Sequence, residues 1–399
     1  MTISAYLRSD GRKGIRNTIV VGYLVECAHH VSREIVYPYR TQGVHLIGFP
    51  GCFPNAYSHK MMEQLCTHPN VGAVLLVSLG CEGFNKGRLL ETVRASGRPA
   101  KLVVIQDTGG TRKTIAEGQA WVEQTLKQLE HTPRAAMGVD ELVVGTICGG
   151  SDATSGLTAN PAMGRAFDFL VERNATCIFE ETGELIGMEH WMAERAENPA
   201  LGEEIVKTVA KAAKYYAAYG HASIGPGNAD GGLTTIEEKS LGAYAKSGQS
   251  TISGIIKPGD VPIKGGLYLL DVVPDGEPRF GFPNISDNAE IAELMACGSH
   301  LSLFSTGRGS VVGSAISPVI KVCANPVTYK RMADDMDVDA GRILEGRATL
   351  DEVGREIYDL ILRVANGEQT KSEALGHQEF ILTYKSFEPL GPACFPSAA

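Results

Sequence analysis

Short, β-branched runs that are apolar at almost every position recur along the chain. Thr18–Val25, Val44–Phe49, Val71–Leu79 and Lys101–Gln106 are the first four. Runs of this kind suit strands of a parallel sheet, buried on both faces. Between them, His29–Tyr39, Tyr57–Thr67, Lys86–Ala95 and Thr111–Leu129 carry apolar positions at helical spacing. The alternation of strand and helix predicts a doubly wound, flavodoxin-like sheet of about four strands.

Around Glu130–Gly138 the sequence turns polar, with His131, Thr132, Pro133 and Arg134 in succession, and a domain boundary is expected there. Alternation then resumes with Leu142–Ile147, Ala175–Phe179, Ser250–Ile256, Leu267–Asp271, Leu301–Ser305 and Val319–Cys323 as strands. Glu203–Ala218 and Leu350–Asn366 read as helices. The expected fold is α/β, with two parallel-sheet domains: residues 1–133, and a larger, Rossmann-like domain over 134–399.

Ligands of open α/β sheets bind beyond the carboxyl ends of the strands. Three strand ends there share a pattern: Pro50-Gly51-Cys52, Gly80-Cys81-Glu82 and Cys148-Gly149-Gly150-Ser151-Asp152 each set a cysteine beside glycine. Any one of these thiols alone is most simply a small buried side chain. Three in matching positions point to a shared metal or cluster, and thiolates select zinc, copper(I) or iron. Cys27 also follows a strand, but Glu26 precedes it and no glycine opens its loop, and Cys66, Cys177, Cys297, Cys323 and Cys394 are read as structural. Three thiolates on a cluster leave one iron open as a Lewis acid, and a single Fe²⁺ is the competing form.

Other candidates flank the same ends. Glu180, Glu181, Glu184, Glu189 and His190 follow one strand, and Glu181 or Glu184 is expected to act as general base or cation ligand. Ser151 and Asp152 lie in a loop rich in backbone donors, before an Asn160-Pro161 pair that reads as an N-cap and first helical position. Asn228 and Lys239 belong to a glycine-rich loop-to-helix segment, where Lys239 is placed to neutralise a carboxylate or move a proton. Arg308, in Ser305-Thr306-Gly307-Arg308-Gly309, is placed to clamp a carboxylate. Solvated helix-start glutamates and an exposed helix lysine are the plain alternatives.

Composition narrows the class. The net charge is −9 and no short window concentrates Lys and Arg, so no nucleic-acid partner is expected. The N-terminal residues are charged where a signal peptide needs an apolar core, and no run approaches the ~18 apolar residues of a membrane helix. Nine cysteines without a signal read as reduced thiols or ligands, which fits a cytoplasmic protein without membrane attachment. Neither a dinucleotide GxGxxG fingerprint nor a P-loop is present, so hydride transfer and ATP chemistry lose support.

Taken together, Tyr6-Leu-Arg8-Ser-Asp10-Gly11-Arg12-Lys-Gly14-Ile-Arg16-Asn17, Gly51-Cys52, Leu79-Gly80-Cys81-Glu82, Cys148-Gly-Gly-Ser-Asp152, Thr158-Ala-Asn-Pro161, Gly231-Gly-Leu-Thr-Thr235, Glu238-Lys239-Ser-Leu-Gly242 and Phe304-Ser-Thr-Gly-Arg-Gly309 resemble the altronate/galactarate dehydratase family, in order and over nearly the whole chain. The resemblance implies β-elimination of water from an aldonate or aldarate to a 2-keto-3-deoxy acid, iron dependence, and a dimerising domain followed by a Rossmann-like one. The chain begins at the large region, which resembles the split arrangement with a separate small β-clip (SAF-type) subunit. It implies a homodimer of the large subunit. The tail Ala374–Thr383 is similar to the large subunit of the related sulfolactate sulfo-lyases, whereas Cys52 and Cys81 side with the iron dehydratases. The expected activity is therefore a sugar-acid hydro-lyase, with sulfite release as one alternative. A non-catalytic metal- or ligand-sensing protein is the other.

Overall fold

The computed structural model describes residues 2–218, 224–275, 286–383 and 385. Among these, one compact unit holds 6–133, 274–275, 380–383 and 385, and the other holds 2–5, 134–218, 224–273 and 286–379. Cys394 lies outside the described residues.

The first unit is built on four parallel strands: β1 (Thr18–Tyr23), β2 (Val44–Gly48), β3 (Val71–Ser78) and β4 (Ala100–Val104). Their order is β2-β1-β3-β4, with Ile19 opposite Val44 and Val20 opposite Val74. Every residue of β3 is buried, as a central strand covered on both faces requires. Helices α1 (His29–Val36), α2 (Ala56–Cys66), α3 (Lys86–Ala95) and α4 (Thr111–Leu129) complete the windings. Ile35 and Val122, from α1 and α4, pack on Ile19, Val21, Leu75 and Val77 in one core. The helix expected over His29–Tyr39 ends at Val36 and tightens to a single 3-10 turn, because Pro38 supplies no amide donor.

The opening motif turns out to be structural cement. Arg8 is buried, donating to the Pro69 and Arg16 carbonyls and to Asn17, while buried Arg98 donates to Asp10 and to the Val71 carbonyl. Burial and the nearby Arg98 charge push Arg8 down to about 9, and Asp10 is held at about 2 by Arg12 and Arg98 despite the opposing effect of burial.

The second unit carries seven parallel strands: β5 (Val143–Cys148), β6 (Thr176–Phe179), β7 (Ile252–Ile256), β8 (Gly266–Leu270), β9 (Leu301–Thr306), β10 (Val319–Cys323) and β11 (Val338–Asp339). Their order is β7-β8-β6-β5-β9-β10-β11. Chain order reverses direction at β5 and β9, so their carboxyl ends form a topological switch point. Cys148 and Ser305 are paired partners there. Helices α5 (Ala159–Val171), α6 (Pro199–Ala218), α7 (Ile236–Ala245), α8 (Asp287–Ala296) and α9 (Leu350–Ala365) cover the sheet. Among the described residues, no helix is long and apolar enough to cross a membrane.

Candidate active site

Cys148 ends β5 at the switch point, buried, and the chain around it is built from four further segments. Glu181, the second residue beyond β6, adopts the left-handed region at φ +78°. That conformation is strained for a side chain with a Cβ and persists only where surroundings enforce it. Here the Cys148 amide and thiol hold it, donating to the Glu181 carboxylate at 3.2 and 3.1 Å. The same thiol lies 3.3 Å from a Glu184 oxygen and accepts from the Ser151 hydroxyl at 3.2 Å.

Two lysines from α7 complete the arrangement. Lys239 Nζ sits 2.5 Å from Glu184, and Lys246, at the end of the helix and fully buried, pairs with Glu181. They are seven residues apart, two helical turns, and so lie on one face. That spacing was readable in the sequence and was missed. Burial lowers the Lys239 pKa, but Glu184 and Cys148 more than offset it, and the net shift is upward. Burial, then the Glu184 charge, push the Cys148 thiol up to about 11.

Asp287, the first residue of α8, is a second group that sequence reasoning missed. A Cβ on Gly149 would lie 2.3 Å from its carboxylate, which places it against the Cys148 loop. Burial first and Glu184 second raise it to about 6. Its only sequence signal was an acidic residue at a helix start, which elsewhere marks an ordinary favourable dipole contact.

A small, open hollow lies over these groups, lined among others by Cys148, Ser151, Asn160, Glu184 and Lys239. Glu184 and Lys239 face it directly.

Other expected residues hold the loops. Both Asp152 oxygens are engaged, one by Thr154 and Ser155, the other by Asn325. Asn228 donates to the Ser151 carbonyl at 2.9 Å and so braces the loop that carries it. Arg308 is exposed, its amide bonded to the Gly150 carbonyl. Asn160 is not the expected N-cap: α5 begins at Ala159, and the Asn160 amide instead bridges Gly242 and Ser305. Glu189 caps Gly187 locally, and His190 is exposed. Cys52 and Cys81 belong to the first unit and are exposed.

Cys148, Glu181 and Glu184 place a sulfur and carboxylate oxygens within 4.8 Å of one another, a donor set of the size a single divalent ion needs. Both carboxylates already carry an ammonium partner, so an ion at that point has to displace Lys239 and Lys246.

Comparison with known proteins gives this geometry a context. A family model described as D-galactarate/altronate dehydratase, C-terminal, matches residues 139–387, and one described as D-galactarate dehydratase/altronate hydrolase, second domain, matches 5–130. The chain belongs to the D-galactarate/altronate dehydratase family. It is similar to (2R)-sulfolactate sulfo-lyase subunit beta of Chromohalobacter salexigens, 33% identical over 395 residues, 96% of this chain and 97% of that one. Altronate dehydratase of Escherichia coli is 29% identical over 95% of this chain and 77% of its own length. Galactarate dehydratase (L-threo-forming) of Escherichia coli is 34% identical over 78% of this chain and 59% of its own. These relatives are carbon–oxygen or carbon–sulfur lyases, and this family member is an enzyme of that kind rather than a sensor.

Proposed function

We propose that this chain catalyses β-elimination from a hydroxy acid, dehydrating a sugar acid of the altronate or galactarate type to a 2-keto-3-deoxy acid. The proton on the carbon next to the carboxylate leaves first. Hydroxide departs from the neighbouring carbon, and the enol that results ketonises. The observation that carries this reading is the Glu184–Lys239 pair lining a small pocket beside Cys148. Elimination needs a base for the carbon-bound proton and an acid for the leaving group, and a carboxylate–ammonium pair supplies both in one place. Glu184 takes the proton and Lys239 gives one to the departing oxygen. Glu181 and Lys246 stand behind them and fix the pair. Arg308 and the Ser151–Asp152 loop, braced by Asn228, orient the substrate carboxylate.

Iron is the cofactor we propose, with the Cys148 thiolate beside Glu181 and Glu184 as a candidate ligand; when bound, it supplies a Lewis acid for a departing hydroxide. A small partner subunit also belongs to the proposal, because the sulfo-lyase relative is named a beta subunit and matches this chain over 97% of its length. So does a homodimer of this chain.

That same length match favours a second reading, release of sulfite from a sulfolactate. The chemistry before the leaving group departs is identical, so the two readings share one site. Supplying the purified complex with aldonates, aldarates and sulfolactate, and following 2-keto-3-deoxy acid and sulfite separately, tests them. Keto-acid formation from a sugar acid is the expected result. Sulfite from sulfolactate with no sugar-acid turnover would replace the first reading by the second, and no turnover of any of them would remove both.

A further inference from the structure

Glu184, the base of the proposed elimination, sits on a single 3-10 turn, Thr182–Glu184, rather than on a helix or strand of the sheet. An isolated turn has few contacts of its own, so its place depends on what packs against it. Two hydrogen bonds tie it down. The Glu184 amide donates to the Glu181 carbonyl at 2.7 Å. The buried Thr182 hydroxyl donates to the Leu270 carbonyl, at the end of β8, at 3.2 Å.

The third support is a ring. Gly183 presses its bare backbone against Tyr216: a Cβ added there would lie 2.1 Å from Cε2 and 2.6 Å from Cζ of the tyrosine. Gly183 is not among the glycines of positive φ, so its backbone shape does not call for glycine. The close approach of the ring does.

Tyr216 lies two residues from the end of α6 and is buried. Tyr215 stands edge-on to it, with ring centres 5.3 Å apart at 89°. Burial first, then the charges of Glu290, Glu180 and Glu184, push the Tyr216 phenol well above its usual value, so this wall stays neutral near three carboxylates. An aromatic side chain turns about two torsions only, and one packed this closely is a stiff support. The same support bears on Glu181, whose left-handed backbone persists only where its surroundings enforce it. The two residues that follow it, Thr182 and Gly183, are both held.

We propose that Tyr216 is a positioning residue for the elimination: its ring, seated on Gly183, holds the Thr182–Glu184 turn so that the Glu184 carboxylate stays between the Cys148 thiol and Lys239. This role rests on the lyase reading above. Tyr216 does not line the hollow, so it acts through the turn and not on the substrate. Misplacing a reacting group by about 1 Å costs about 10²-fold in rate. Substrate recognition by the other loops is untouched, so the loss falls on kcat rather than KM.

The test measures kcat, KM and Tm of Tyr216→Leu, Tyr216→Phe, Gly183→Ala and Tyr358→Leu on whichever acid the wild-type complex turns over. Crystal structures of wild type and Tyr216→Leu accompany it. Tyr358, on α9, is a similarly buried tyrosine away from the hollow and controls for lost packing. Tyr216→Leu and Gly183→Ala should each lower kcat by about 10²-fold, with KM within about twofold of wild type. Tyr216→Phe, which keeps the ring, should retain most of the rate, and Tyr358→Leu should lose Tm but not kcat. In the Tyr216→Leu crystal the Glu184 carboxylate should sit about 1 Å from its wild-type place. Unchanged kcat in Tyr216→Leu, equal loss in Tyr216→Phe, or equal loss in Tyr358→Leu would each overturn the assignment. Should Tyr216→Leu not fold, Gly183→Ala decides by the same readings. If wild type turns over none of the acids, the lyase reading fails by itself, and the crystal structures decide whether Tyr216 holds the turn: an unmoved Glu184 shows that it does not.

Discussion

Lys246 has no water to hold its charge, and Glu181 is its compensation. Removing one member of a buried pair leaves the other charge uncompensated, at a cost of about 3–5 kcal/mol. Lys246→Met is therefore expected to lower the urea midpoint sharply, and Lys246→Met with Glu181→Gln to recover part of the loss. A double variant no more stable than Lys246→Met would refute this compensation. Glu184, facing the pocket, should behave differently. Glu184→Gln is expected to reduce kcat by about 10²–10⁴-fold, the usual contribution of general base catalysis, with a much smaller change in Tm. Asp287 adds a pH signature. Its folded pKa, about 6, lies above the ordinary carboxylate value of 3.8, so the native state binds the proton more tightly than the unfolded one. Its contribution to stability is thus present below about pH 4 and is lost as pH rises through 6. Tm of wild type should fall across that window relative to Asp287→Asn, and parallel curves would refute the assignment.

At the scale of elements, the pocket depends on loops packed without room to spare. A Cβ on Gly307 would lie 2.1 Å from the Asp152 carboxylate, and that carboxylate ties the Cys148 loop to Asn325 beyond β10. Gly307→Ala should therefore displace the Ser151 segment, raising KM and lowering kcat together, with retained fold by circular dichroism. Unchanged kinetics would show that the loop has slack. The long helix α9 is closed at its start by a capping box, Thr349 with Glu352, and Thr349→Ala should cost about 1 kcal/mol in chemical unfolding. Strands and helices of this kind were legible because burial on both faces leaves a continuous apolar run. The misreadings came where one residue overrode the pattern: Pro38 cut α1 short, and Asn160 was drawn into a bridge to Gly242 and Ser305 rather than a cap.

Over the whole molecule, the net charge of −9 opposes an anionic substrate at long range. Salt screens that repulsion, so for a dianionic substrate kcat/KM should rise as ionic strength increases from about 10 to 100 mM. A fall would mean that the local field of the pocket lysines dominates approach. The two units meet this acidity differently. The second concentrates Lys239 and Lys246 at its switch point, whereas the first locks Arg8 and Arg98 into its interior, where they hold carbonyls and Asp10.

The sequence by itself determined the α/β class, the two parallel sheets and the family, because apolar runs, their spacing and ordered motifs are properties of a linear string. It also placed Cys148, Glu181, Glu184 and Lys239 at strand and helix ends where ligands bind. Only the tertiary structure decided which of these touch. It set Lys246 on Glu181, brought Asp287 to the Cys148 loop and turned Asp152 and Asn228 into supports. Such partnerships join residues far apart in the chain, and their energy depends on burial and charge neutralisation, which exist only once the strands have been laid side by side.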